Sequence, residues 1–137
     1  MDFTTAARPA AWTLPWVFHR VALWRALKPS TGTYSVWLKE GRRKSEEVTI
    51  ALRRGLLSIR MDLNEERRGY AVANIEMNSK TREGFGTYDH YLPNGQILFG
   101  NWRLKVIDRD TITVTNTYAE EETGVERAIP YVWRRKA

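Results

Sequence analysis

The chain has 137 residues, 42% hydrophobic and 28% charged, which suits one globular domain with its own core. It contains no cysteine, so a disulfide scaffold and thiolate metal sites are excluded. The net charge of +6 is uneven: residues 1–60 carry eleven Lys and Arg against four acids, or +7, and the remainder is −1. A basic half of this kind suits phosphates or an anionic membrane, or simply a well-solvated surface.

The N-terminus does not read as a signal peptide. Residues 10–18 are mostly apolar, but Asp2 precedes them, Pro15 interrupts them and His19-Arg20 follows without a small-residue cleavage site. The stretch is too short to span a bilayer, so no transmembrane segment and a cytoplasmic location are expected. Residues 1–12 read as a flexible arm, and 13–137 as a single domain. Thr13 is a candidate N-cap, with Pro15 in the first turn. Leu14, Val17, Val21 and Trp24 recur at helical spacing, and Pro29 follows Lys28 as a stop. The expected element is one amphipathic helix over 14–28.

Short alternating segments follow. Tyr34, Val36 and Leu38 alternate with Thr33, Ser35 and Trp37. A basic loop, Gly41-Arg42-Arg43-Lys44, leads to Val48, Ile50 and Leu52. Arg54-Gly55 turns the chain into Leu57, Ile59, Met61 and Leu63, a clean half-buried pattern. Further strands are expected over 70–77, 85–92, 96–107, 111–118 and 125–135, with Pro93-Asn94-Gly95 the strongest turn signal. Gly100 is a candidate bulge. Eight strands on short connections predict an up-and-down antiparallel meander. Closure into a mainly β, eight-stranded barrel would remove both edges; an open sheet curved around the helix is the alternative.

Gly32-Thr33-Tyr34 after a helical lead-in, and Trp133-Arg134 at the end of the last strand, resemble the calycin superfamily of lipocalins and fatty-acid-binding proteins. In that pattern the first strand opens Gly-x-Trp, and a late Arg or Lys packs across the aromatic ring. Tyr34 stands here in place of Trp, and a better match, Gly100-Asn101-Trp102, lies on the sixth strand. The resemblance covers the layout of residues 30–135 and implies a barrel with a central small-molecule cavity, with Tyr34 in the ligand-binding set. Small bacterial barrels that sense cyclic oligonucleotides in anti-phage defence are also similar in size and basic charge. Residues 1–30 hold no counterpart of the transmembrane pair that usually precedes those barrels.

Polar residues in phase with apolar ones are the candidate site. Asn116 and Tyr118 continue the Ile112–Val114 face, and Arg127 shares a face with Ile129, Tyr131 and Trp133. A buried Arg needs an anion or a paired acid such as Glu76. Tyr88 and His90 share a face and could orient a polar ligand or move a proton. The expected ligand-binding set is Tyr34, Tyr88, His90, Asn116, Tyr118, Arg127 and Tyr131. Lys39, Arg42, Arg43 and Lys44 form a candidate anion surface. The carboxylate runs Glu46-Glu47, Glu65-Glu66 and Glu120 to Glu122 read as solvated turns. No nucleophile motif, phosphate-cradling loop, metal site or cofactor is indicated.

The favoured expectation is a non-enzymatic barrel that holds an amphipathic or anionic small molecule. The alternatives are an isomerase- or decarboxylase-like enzyme using Tyr88 and His90, and a nucleotide or nucleic-acid binder using the basic face. The strand exteriors read as Thr, Ser and Ala, which offers no stacking platform. A homo-oligomer is compatible with any of these.

Overall fold

The computed structural model describes residues 24–63, 68–120 and 122–136. The arm and most of the expected helix lie outside them. Residues 24–27 make one helical turn that runs into a 3-10 turn, Lys28–Ser30. Pro29 sits inside that turn and does not end it, because a proline near a helix start lacks only an N–H that would be unpaired anyway. Trp24, placed by its spacing on the apolar stripe, is 55% exposed; Leu27 is the residue that enters the core.

Eight strands follow: β1 Gly32–Leu38, β2 Arg43–Arg53, β3 Leu56–Asp62, β4 Tyr70–Glu76, β5 Glu83–Tyr91, β6 Ile97–Asp108, β7 Thr111–Ala119 and β8 Glu126–Arg135. Each pairs antiparallel with its neighbour in sequence, and β1 pairs with β8, so the sheet is a closed barrel. The closing register runs from Tyr34 opposite Arg135 to Leu38 opposite Tyr131. Closure gives every strand two partners, which leaves no edge to recruit another chain.

Strand alternation sorts side chains as expected. Val48, Ile50, Leu57, Ile59, Ala71, Ala73, Leu104, Ile112 and Val114 point inward and are buried. The β2–β3 turn is a two-residue hairpin in which Arg54 and Gly55 both have positive φ, 53° and 79°. That geometry matches the twist of the flanking strands.

One register irregularity, in β1–β2, shapes the interior beside the cavity. The β1–β2 register moves from Ser35 opposite Glu47 to Trp37 opposite Arg43, so Lys44, Ser45 and Glu46 bulge out opposite Val36 alone. Gly100, in contrast, is not a bulge: β6 stays in continuous register with β5 through it. It is a seat for the ring of Tyr88, which a Cβ at position 100 would overlap.

The two ends of the barrel differ. At the end of the β2–β3, β4–β5 and β6–β7 connections, the helical segment lies across the opening. Tyr34, fully buried, donates to Ser30 O at 2.6 Å. Arg135 donates to Thr31 O at 2.7 Å, to Pro29 O, to Arg109 O at 2.7 Å and to the Tyr34 hydroxyl at 2.9 Å. One guanidinium thus binds the lead-in, β1 and the β6–β7 turn together. The opposite end, where β1–β2, β3–β4, β5–β6 and β7–β8 connect, has no such cover among the described residues.

Candidate functional site

At the uncovered end the barrel encloses a cavity of about 390 Å³. Its floor is Trp102, stacked on Tyr88 at 4.6 Å and meeting Trp133 edge-on at 5.4 Å. Met61, Leu63 and Ala71 form one apolar wall, and Leu98 and Ile129 contribute to the other side. Besides Arg68, Tyr118 and Tyr131, polar groups enter this lining at three places.

The first is the Tyr88–Asn116 pair. Tyr88 donates from its hydroxyl to Asn116 Oδ1 at 2.9 Å. Burial pushes the Tyr88 phenol above its ordinary range, the Asn116 hydrogen bond opposes this, and neighbouring Tyr131 and Tyr118 add to it. Tyr34 is raised as well, chiefly by burial and against the pull of Arg135. A raised phenol keeps its proton in the native state after the unfolded chain has lost it. Both therefore contribute stability that is full below about pH 10 and falls as pH rises beyond it. Absorbance titration should show a component ionising above the ordinary phenol range, and Tyr88→Phe should reduce it. No component above the ordinary phenol range, or one that Tyr88→Phe leaves unchanged, would contradict this.

The second is His90, whose Nε2 lies 2.5 Å from Arg68 O on the β3–β4 connection. Tyr88 and His90 line the same cavity, as their shared face predicts, but each is engaged with a different partner. The hydroxyl faces Asn116 and the imidazole faces a backbone carbonyl.

The third is the β2 bulge, which sequence reading missed. Lys44 and Glu46 both line the cavity. Lys44 Nζ sits 3.0 Å from Glu46 Oε1 and 5.3 Å from the centre of the Tyr131 ring. The Glu46 side chain is only 4% exposed, and its Oε2 has no hydrogen-bond donor among the described residues. Leaving a buried acceptor unpaired costs roughly 1–3 kcal/mol, more when it is charged. Glu46 is therefore not part of a solvated turn, and Lys44 does not belong to the outer basic loop. The signal was present: Lys44, Glu46, Val48 and Ile50 are spaced by two, so both charged residues share the inward phase.

The other sequence-derived residues divide. Tyr118 and Tyr131 line the cavity with Tyr88, His90 and Asn116. Tyr34 does not; it is sealed into the opposite end. Arg127 does not either: its side chain is 54% exposed and forms an ion pair with Glu120 Oε1 at 2.5 Å. The hydrogen bond from Arg127, with one from Thr123, holds the Glu120 carboxyl below its usual range. Arg127 has the inward phase but stands at the start of β8, past the rim, so it meets solvent. Its acid is Glu120, not Glu76. Lys39, Arg42 and Arg43 remain exposed around the β1–β2 turn.

The exterior also departs from expectation. Phe85 and Phe99 are 62% and 65% exposed on β5 and β6. Arg60 covers Tyr70 at 4.0 Å and Arg134 covers Trp37 at 5.2 Å. The outer faces thus carry aromatic and Arg pairs as well as Thr and Ser. Among the described residues no three His, Asp or Glu side chains converge as metal ligands, and no helix is long and apolar enough to cross a membrane.

No family model matches the chain, and no curated protein matches it. Among solved structures it is similar to a redesigned β-barrel, with a TM-score of 0.58 and 10% identity over 82% of this chain and 96% of that one. That likeness concerns the fold alone.

Proposed function

We propose that the barrel binds a small, mainly apolar molecule bearing a few polar groups, in the cavity at its uncovered end, and that it acts as a binder and not an enzyme. The observation that carries this is the combination of a 390 Å³ space, one covered end and convergent polar groups on an apolar lining. Binding cavities of roughly 300–1,000 Å³ have this composition. The contact between Arg135 and Tyr34 supports the resemblance to calycins, since the guanidinium lies 5.0 Å from the centre of the ring on the first strand. It is Arg135 that occupies this place, whereas Arg134 faces outward over Trp37. A phosphate-binding basic loop has less support, because Lys44 is turned inward and paired.

The test is native mass spectrometry of the protein purified from its host, followed by titration with an environment-sensitive apolar fluorophore. The wild type is expected to carry or take up one small molecule. Ala71→Phe, which places a ring in the cavity, should abolish uptake while the fold persists. Arg127→Ala should bind like the wild type. Uptake unchanged by Ala71→Phe, or none by the wild type, would overturn the reading.

A further inference from the structure

We infer that the ligand presents a neutral hydrogen-bond acceptor, a ketone-like carbonyl, to the Asn116 side-chain amide at the floor of the cavity. This rests on the binding reading above and names its ligand class. Strand register sets the position. Asn116 stands opposite Trp102 on β6 and Ile129 on β8, so its side chain enters the barrel at the height of the aromatic floor. Tyr88 donates its one hydroxyl proton to Asn116 Oδ1 at 2.9 Å. Burial keeps that proton on the phenol through neutral pH. The amide carbonyl is thereby engaged, and Nδ2 is left with two N–H groups. No described residue accepts a hydrogen bond from Nδ2. The buried polar atoms that lack a partner are Ser30 Oγ, Glu46 Oε2 and Trp133 Nε1, and Nδ2 is not one of them. It opens onto the cavity that Asn116 lines.

The rest of the lining decides between a neutral acceptor and an anion. Its ionisable side chains, besides the tyrosines, are Lys44, Glu46, Arg68 and His90. Lys44 is held on Glu46 Oε1 and over the Tyr131 ring. Glu46 balances its charge, and the other carboxylate oxygen is closed to the cavity. Arg68 is exposed on the β3–β4 connection, across the barrel from β7, and its carbonyl oxygen faces His90 Nε2. The groups beside Asn116 are uncharged: Trp102, Ile129 and the Tyr88 hydroxyl. A carboxylate placed there would give up its hydration for one amide, whereas a carbonyl gives up much less. The Tyr118 and Tyr131 hydroxyls donate or accept and favour neither. An apolar ring carrying the carbonyl suits the Trp102 floor and the wall of Met61 and Leu63.

The test titrates three probes into the full chain at about pH 8. They are 2-acetonaphthone, 2-isopropenylnaphthalene, in which C=CH2 replaces C=O, and 2-naphthoate. Water solvates the ketone better than the alkene, so the readout is the ratio of their affinities and its change with Asn116. In Asn116→Asp the carboxylate still accepts from Tyr88 but offers no N–H. The ratio should therefore shift against the ketone by about fivefold or more, the effect of one hydrogen bond. In the wild type, the Asn116 side-chain N–H2 signals should move further downfield with the ketone than with the alkene, a reading that needs no variant. An unchanged ratio in Asn116→Asp, or equal shifts of those signals, would overturn the inference and leave the binding reading standing. Tighter binding of 2-naphthoate than of the ketone would overturn it too, since Lys44 and Arg68 would then set the preference. Failure of the ketone to bind a chain that takes up the fluorophore would overturn this inference alone. Loss of fluorophore uptake as well would remove the binding reading beneath it.

Discussion

Trp102→Ala is expected to lower the unfolding free energy by about 3–5 kcal/mol, the range for deleting a large buried aromatic. Trp102 is 2% exposed at the middle of the barrel, where it separates the cavity from the packed layer below. Its ring stacks on Tyr88 on one side and abuts Trp133 on another. A closed sheet cannot collapse inward without breaking ladder hydrogen bonds, so the space left by the indole stays open. The penalty should thus lie toward the upper end of the range. For a chain of this size the midpoint of thermal unfolding should fall by roughly 10–20 °C. Urea unfolding followed by circular dichroism measures the free energy, with Trp102→Phe as the milder control. A loss under about 1 kcal/mol would show that the walls relax to fill the gap. In that case the floor is not the rigid element that sets the depth of the cavity.

Arg135→Met should cost about 2–4 kcal/mol, through a different mechanism. The guanidinium holds Thr31 O, Pro29 O, Arg109 O and the Tyr34 hydroxyl in one planar fork. A methionine of similar length keeps the packing but takes the charged donor from the part-buried Thr31 O and Tyr34 hydroxyl, and these two set the cost, since water can reach the exposed Pro29 O and Arg109 O. The ion pair with Asp110 contributes little, since that carboxylate is 71% exposed. Arg135→Lys keeps the charge but offers no fork, so it should recover less than half the loss. Hydrogen exchange locates the effect: amides of 24–31 should lose protection in Arg135→Met while those of β3 and β4 keep theirs. A fully stable Arg135→Lys would show that charge alone holds this end.

Both effects bear on function. The first sets the depth of the cavity, and the second holds the lead-in across the opposite end of the barrel. Neither residue stood out as more than a motif member in the sequence. The sequence marks Trp102 through Gly100-Asn101-Trp102, and Trp133 points to its neighbour Arg134 before Arg135. Alternation shows why: positions 133 and 135 share the inward phase, and 134 does not.

By itself the sequence determined the elements and their order. Period-two alternation marked the strands, Gly, Asn and Pro marked the turns, and short connections allowed only a meander of sequential neighbours. Five cavity residues, Tyr88, His90, Asn116, Tyr118 and Tyr131, were legible because their phase matches that of buried apolar neighbours. Tertiary structure alone decided closure, since periodicity is the same in a curved open sheet and in a barrel. It also decided height along the axis. Phase says that Tyr34, Arg127 and Tyr131 all point inward, but inward at the covered end is core, inward past the rim is solvent, and only between the two is it cavity. The bulge was decided there as well. Alternation alone puts Lys44 and Glu46 on the inward face, but that three residues stand opposite Val36 belongs to two strands at once.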